Sequence, residues 1–140
     1  MKLAEFSIGQ VFETKSFKVT KEDIMRFAGE FDPQYMHLDE KKAEEWRFNG
    51  IIASGIHTIG ISFKLWVEQG IYGDDVIAGT GMNNIKFIKP VYPGDELHTI
   101  VEVIDKKEKK EAGIITVLLS TYNDKEEKVF EGDLSALIKR

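Results

Sequence analysis

Apolar residues in the first third of the chain recur at the spacing of a helix with one apolar face. Four of them stand at positions i, i+3, i+4 and i+7: Ile24, Phe27, Ala28 and Phe31. Before them, Thr20 and Asp23 form a capping-box pattern, a hydroxyl with an acid three residues later. Pro33 disfavours helical backbone at the residue before it. The pattern predicts a helix that starts after Thr20 and leaves Asp32 at its exit.

A longer apolar pattern begins at Ser54 or Gly55 and runs to about Gln69. Its apolar residues fall on nearly every side of a helix: Ile56, Ile59, Ile61, Phe63, Leu65, Trp66 and Val67. A helix that is apolar nearly all round is usually buried, so we expect a long helix in the core. Between the two helices, Asp39 is predicted to cap a shorter one over residues 40–46.

The second half of the chain changes to strand-rich runs with short polar turns between them. With one run near the N-terminus, five strands are predicted, at residues 10–19, 82–89, 96–105, 113–122 and 128–138. Consecutive strands joined by short turns form antiparallel hairpins, and the charge-dense residues 106–111 are predicted to be a solvated hairpin tip. The fold class is therefore α+β, one antiparallel sheet around a buried helix. Its open edge favours a dimer formed by sheet extension.

Composition limits the classes of protein to which the chain can belong. The 140 residues include no cysteine, 42% hydrophobic residues and 19 basic against 24 acidic residues, a net charge of −5. This size and apolar content suit one domain over residues 1–140 and exclude bulk disorder and a disulfide framework. The negative charge argues against non-specific nucleic-acid binding. The sequence shows no targeting segment and no membrane span, so a cytoplasmic protein is expected.

Several common catalytic motifs are absent from the sequence. It contains no phosphate-binding loop, no complete dinucleotide glycine pattern and no nucleophile elbow around Ser54. The three histidines, His37, His57 and His98, have no pairing at helical spacing. No metal site is therefore predicted.

One pair of residues could carry acid–base chemistry. Asp32 stands at the helix exit, and His37 follows five residues later, beyond a proline turn. A carboxylate and an imidazole close together can hold a water between them and move its proton near neutral pH. The alternative is structural, with Asp32 capping the turn and His37 on a surface loop. From spacing alone, this structural interpretation is the more common one.

Three sequence blocks favour the catalytic interpretation of Asp32 and His37 over the structural one. Residues 31–39 read FDPQYMHLD, residues 52–58 read IASGIHT and residues 87–95 read FIKPVYPGD. In this order they resemble the MaoC-like dehydratases, the family of (R)-specific enoyl-CoA hydratases, and the likeness extends over residues 10–137. The resemblance implies the hot-dog fold, in which an antiparallel sheet wraps a long central helix. It also implies reversible hydration of trans-2-enoyl-CoA to (R)-3-hydroxyacyl-CoA.

The resemblance further assigns roles to residues. It implies that Asp32 and His37 bind and activate the water, without deciding which handles which proton. It implies that the backbone N–H of Gly55 faces the thioester oxygen, a role that suits the positive end of a helix. Further residues are candidates to line the substrate pocket: Gln34, Met36, Phe48, Ile51, Ile52, Ser54, Ile56 and His57. His57 could equally be structural, and Met36, Phe48, Ile51 and Ile52 are equally well explained as core residues.

The resemblance also has consequences for partners and cofactors. The implied substrate is an acyl-CoA, and the implied assembly is at least a homodimer with the pocket at the subunit interface. Coenzyme A belongs to the substrate, and no separate cofactor is expected. The sequence departs from the family pattern in four places. Gln34 stands where Asn is usual, Tyr35 where Pro is usual, a proline has moved to position 33, and Ser54 replaces a frequent His.

Two other functions stay open at this point. A hot-dog thioesterase commonly places an acid or a glutamine on or near the central helix. The only acid here is Glu68, near the end of that helix and far from Gly55, which argues against hydrolysis. The second alternative is a non-catalytic subunit that binds acyl-CoA.

Overall fold

The computed structural model describes residues 1–140 as one antiparallel sheet and four α-helices. The helices are α1 Lys21–Phe31, α2 Tyr35–Leu38, α3 Glu40–Glu44 and α4 Gly55–Val67. The strands are β1 Val11–Lys18, β2 Val76–Phe87, β3 Glu96–Glu108, β4 Ala112–Tyr122 and β5 Lys128–Lys139. They lie in the order β1-β3-β4-β5-β2, and every neighbouring pair is antiparallel. The predicted α+β class and the five strands are confirmed.

The hydrophobic core lies between α4 and the sheet. The helix packs against β1 and β3 and buries Ile61, Leu65 and Trp66. Strands β3 and β5 alternate between buried and more accessible residues along much of their length. One face of each strand therefore covers the core, as the pleat of a strand dictates. The predicted long helix in the core is confirmed.

A chain of hydroxyl groups joins α4 to the sheet. Ser62 on α4 donates to the carbonyl of Thr58 at 2.8 Å, and its Oγ lies 2.6 Å from Oγ1 of Thr121 on β4. Thr121 also bonds to Thr99 on β3, with 2.8 Å between the hydroxyl oxygens, and the N–H of Thr99 donates to Oγ1 of Thr14 on β1 at 2.9 Å. These hydroxyls are buried, where an unpaired hydroxyl would be costly. The chain ties one point of α4 to three strands.

One side of α4 is left uncovered by the sheet. Ile56, Phe63 and Val67 are 54%, 42% and 44% exposed, so the expectation of burial nearly all round is wrong for the single chain. The reason is that one sheet covers only one side of a helix. The neighbouring edge strand β2 pairs with β5 alone and is exposed along its length. We call the exposed apolar residues of α4 and β2 the open side: Ile56, Phe63, Val67, Val76, Ile77, Met82 and Phe87.

Element boundaries differ from the predicted ones in four places. Strand β2 begins at Val76 rather than at residue 82, and β3 continues to Glu108, so the charged hairpin tip is confined to residues 109–111. Helix α3 ends at Glu44 rather than at residue 46, and the single turn of α2 was not predicted. None of the helices combines the length and the apolarity that crossing a membrane requires.

Candidate active site

A tight turn between α1 and α2 brings the predicted acid–base pair together. Asp32 ends α1, and its N–H donates to the carbonyl of Ala28 at 2.9 Å. Its own carbonyl accepts the N–H of Gln34 at 2.7 Å, across Pro33. A hydrogen bond over one intervening residue closes a three-residue turn, and the fixed φ of proline suits its centre. The single turn of α2 follows at once and carries His37 as a buried residue.

The side chains of Asp32 and His37 are in contact. Nε2 of His37 lies 3.2 Å from Oδ2 of Asp32, and the two side chains are only 7% and 19% exposed. The other ring nitrogen, Nδ1, lies 2.7 Å from the carbonyl oxygen of Ile52. Because a carbonyl only accepts hydrogen bonds, Nδ1 must carry a hydrogen. In neutral His37 the lone pair is therefore on Nε2, which faces the carboxylate.

Two further side chains hold the carboxylate of Asp32. Ser54 donates its hydroxyl to Oδ2 at 2.7 Å, and Gln34 donates from Nε2 to Oδ1 at 2.6 Å. The hydrogen bond from Ser54 is the main cause that lowers the pKa of Asp32 below its ordinary value. The Gln34 bond and the positive charge that His37 carries when it is protonated act in the same direction, and burial opposes them, so Asp32 is ionised at neutral pH.

The first residue of α4 presents an unused backbone donor. Ser54 caps this helix by accepting the N–H of Ile56 at 3.2 Å, whereas the N–H of Gly55 donates to no protein acceptor. The backbone conformation of Gly55 does not itself require glycine, because its φ is not positive. The requirement is for space. A Cβ atom there would stand 2.6–2.8 Å from the ring of Phe87, inside the normal separation of two carbons.

These groups open onto one cavity of about 500 Å³. Nine of the residues singled out in the sequence line it: Asp32, Gln34, Met36, His37, Phe48, Ile52, Ser54, Gly55 and Ile56. The cavity thus combines an ionised acid, an imidazole and a free N–H with a largely apolar wall. Such a site can move a proton on a bound apolar molecule and stabilise negative charge on its oxygen. No group of three or more acidic or histidine side chains is arranged to hold a metal ion.

Two of the predicted lining residues lie elsewhere. His57 does not line the cavity, because the helical turn directs it towards α1, where its ring stacks on Phe27 at 4.5 Å between centroids. It lines a separate cleft beside α1, and its burial lowers its pKa. Ile51 is a buried core residue. The structure therefore places His57 outside the cavity and in a packing contact with α1.

Some walls of the cavity were missed from the sequence. Phe87, Ile88 and Val91 line it, and all three lie in the third sequence block, from which no pocket residue was predicted. Val129 on β5 also lines it, and no sequence signal marked this residue. Trp46, which was not among the predicted pocket residues, also lines the cavity and remains exposed.

Similarity to known proteins identifies the family. The family described as "MaoC like domain" matches residues 4–123, which is most of the chain. The chain belongs to the MaoC-like dehydratase family. A relative of this MaoC-like chain, the uncharacterized protein YdeM of Bacillus subtilis (strain 168), is 75% identical over 141 residues, covering 100% of both proteins.

Solved structures of MaoC-like and hydratase proteins have the same fold. The MaoC-like dehydratase from Rhodospirillum rubrum superposes with a TM-score of 0.91 at 33% identity, covering 100% of this chain and 97% of that one. The (R)-hydratase PhaJ1 from Pseudomonas aeruginosa superposes with a TM-score of 0.76 at 25% identity, covering 99% of this chain and 86% of that one. The predicted hot-dog fold is confirmed.

Proposed function

We propose that this MaoC-like protein is an (R)-specific enoyl-CoA hydratase, working reversibly as a 3-hydroxyacyl-CoA dehydratase. The observation that carries the proposal is that the Asp32–His37 pair and the free N–H of Gly55 line one cavity. The family's description as dehydratases and the similarity to an (R)-hydratase support this reaction class. Coenzyme A enters as part of the substrate, and no other cofactor is required for adding water.

The geometry suggests how water would add to the double bond. Nε2 of neutral His37 accepts a proton from water while the water oxygen bonds to Cβ of the enoyl thioester. The double-bond electrons move towards the thioester oxygen, and the N–H of Gly55 stabilises the resulting charge. Removing one donor of this kind costs about 2.7–4 kcal/mol in the barrier. The proton then passes to Cα, so that one water is added with no net change in protons.

Asp32 has a supporting electrostatic role in this scheme. Its lowered pKa makes it a weaker base than an ordinary carboxylate, so it stays ionised beside His37. A negative charge 3.2 Å from Nε2 stabilises the imidazolium formed when His37 takes the proton. Both side chains are therefore needed for turnover.

We also infer that the working form is a homodimer in the cytoplasm. The open side exposes apolar residues of α4 beside an unpaired strand edge, and a second copy could cover both. Structural neighbours with the same fold include named two-chain complexes, which supports association through this fold. Cytoplasmic localisation remains an expectation from the sequence.

The first test is loss of the enoyl-thioester absorbance when the protein is mixed with crotonyl-CoA or trans-2-octenoyl-CoA. We expect (R)-3-hydroxyacyl-CoA as the product and no free thiol. Asp32→Asn and His37→Gln should each reduce turnover by about 10²–10⁴-fold, the usual contribution of general acid–base catalysis. Their circular dichroism spectra should match that of the wild type.

Matched variants distinguish this result from a general effect of losing an acid or an imidazole. Asp105→Asn and His98→Gln change the same residue types on β3, and neither residue lines the cavity. Both should retain wild-type rates. Release of free coenzyme A would instead indicate a thioesterase, and binding of saturated acyl-CoA without turnover of either enoyl-CoA would indicate a binding subunit.

A further inference from the structure

Gln34 lies between the two members of the acid–base pair, and the sequence suggested that it contacts substrate. In the structure it is bonded twice to Asp32. Its backbone N–H donates to the Asp32 carbonyl at 2.7 Å, and its side-chain Nε2 donates to Oδ1 at 2.6 Å. The residue is otherwise exposed at the edge of the cavity. Its principal contact is therefore with an acid and not with the apolar wall.

The two oxygens of Asp32 are held by donors from different elements. Gln34, next to the start of α2, bonds to Oδ1, and Ser54, the cap of α4, bonds to Oδ2. One hydrogen bond leaves a carboxylate free to rotate about its Cβ–Cγ bond, since that torsion has a broad minimum. Two bonds, one to each oxygen, fix the plane of the group. With that plane fixed, Oδ2 is the oxygen that faces Nε2 of His37.

We propose that Gln34 is a positioning residue, which fixes the plane of the Asp32 carboxylate so that Oδ2 is directed at His37. The catalytic consequence rests on the proposed hydratase function, but the effect on Asp32 itself does not. Within this arrangement, Pro33 and Gln34 act together. The proline closes the turn, and the turn places the amide of Gln34 beside the carboxylate that precedes it by two residues.

Few charged side chains other than His37 lie close to Asp32. His37 is the titratable residue whose charge affects it. Lys89 is the one basic residue that lines the cavity, and Glu127 pairs with it at 2.6 Å. The charged residues of α1 that lie nearby, together with His57 of α4, line the separate cleft beside α1: Asp23, Arg26 and Glu30. A change at Gln34 should therefore act on Asp32 without a compensating charge.

Two substitutions remove the hydrogen-bond donor of Gln34 while keeping the volume of the side chain. Gln34→Leu keeps the size of the side chain and removes the hydrogen bond. Gln34→Glu keeps the shape and places a second carboxylate against Oδ1, where the like charge raises the pKa of Asp32. We expect kcat for crotonyl-CoA to fall about tenfold in Gln34→Leu, the loss of one hydrogen bond to a charged group, and further in Gln34→Glu. The KM value should change little, because Gln34 lies at the exposed edge of the cavity and the apolar residues of its wall are unaltered.

A second measurement does not depend on turnover. The titration of the Asp32 carboxyl can be followed by ¹³C NMR, with its signal assigned by comparison with Asp32→Asn. Its midpoint should move to higher pH in Gln34→Leu and still higher in Gln34→Glu, and the acidic limb of kcat/KM should move with it. The matched control is Gln69→Leu, since Gln69 lies beyond the end of α4 and outside the cavity. It should leave both the titration and the pH profile unchanged.

The outcomes of these measurements distinguish the positioning role of Gln34 from the proposed hydratase function. If the wild-type protein hydrates no enoyl-CoA but Asp32 still titrates at higher pH in Gln34→Leu, the positioning role stands and the proposed function fails. If Gln34→Leu and Gln34→Glu leave both the Asp32 titration and the acidic limb where the wild type has them, the positioning role is wrong. A rise in KM with kcat and the pH profile unchanged would return Gln34 to the role of a substrate contact.

Discussion

At the scale of single residues, the space around Gly55 is determined by Phe87. Gly55→Ala keeps the backbone N–H but places a Cβ against the exposed Phe87 ring, which has to move. We expect a fall in kcat/KM of about ten- to hundredfold, the cost of displacing groups at a reacting centre. Thermal stability should change little, because the greater helix propensity of alanine, about 1 kcal/mol, offsets the cost of moving the Phe87 ring. Kinetics with crotonyl-CoA and a melting curve would test this.

A second substitution shows whether the ring is the cause. In a Phe87→Ala background the added Cβ meets open space, so Gly55→Ala should cost much less there than in the wild type. The double-mutant cycle then gives a coupling energy between the two positions. An equal penalty in both backgrounds would contradict the steric explanation and place the effect in the helix backbone.

At the scale of elements, Ser54 joins the start of α4 to the end of α1. It caps α4 and also donates to Asp32. Ser54→Ala removes both interactions, whereas Ser54→Gly removes the bond to Asp32 but leaves a residue that is tolerated at a helix cap. The two variants therefore separate the stability of the helix from the chemistry of the acid.

We expect the acidic limb of kcat/KM to move to higher pH in both Ser54 variants. The Ser54 bond is the main cause of the lowered Asp32 pKa, so its loss lets the acid protonate earlier as pH falls. The loss of stability should be about 1 kcal/mol in Ser54→Ala and a few tenths of that in Ser54→Gly, as measured by urea unfolding at pH 7. A limb that stays in place in both variants would contradict this account.

The same lowered pKa has a consequence for folding. A carboxyl group with a lower pKa in the folded than in the unfolded state stabilises the fold above its unfolded pKa. That contribution disappears as pH falls through the folded pKa. Part of the acid sensitivity of unfolding should therefore be missing from Asp32→Asn.

The sequence predicted the elements that carry a strong periodic signal and missed those that do not. Helix α1 has four apolar residues at helical spacing, a cap and a proline stop, and its bounds agree closely with the structure. The four residues of α2 are too few to show a period. The first half of β2 reads VIAGTG and is exposed on both faces. It therefore lacks the alternation that burial of one face imposes on a strand.

The residues that line the cavity likewise include some that the sequence predicted and some that it missed. Asp32, His37 and Ser54 could be singled out because they stand in sequence blocks that resemble the motifs of the family. Val129 could not, because it reaches the cavity through strand pairing. The N–H of Ile88 donates to the Val129 carbonyl at 2.9 Å, and this contact depends on the register between two distant segments. A single sequence carries little information about such a register.

At the scale of the whole molecule, the open side predicts association. Ile77 on β2 is 51% exposed, and Val11 on the opposite edge strand β1 is 57% exposed. Ile77→Lys places a charge on the open side and should shift the protein from dimer to monomer in light scattering. Val11→Lys adds the same charge to an equally exposed apolar position and should leave the dimer intact. Two variants with the same mass as the wild type would contradict an interface at β2.

The hydroxyl chain under α4 has a consequence for the accuracy of the site. The hydrophobic effect has no direction of its own, whereas a hydrogen bond depends on both distance and angle. Ser62 supplies such a bond to Thr121 in the sheet. Gly55 lies two turns earlier on the same rigid helix, roughly 10 Å along the axis. The position of the N–H proposed to stabilise the thioester oxygen therefore depends on a contact in the middle of the sheet. Ser62 and Thr121 are buried there, out of reach of substrate and solvent.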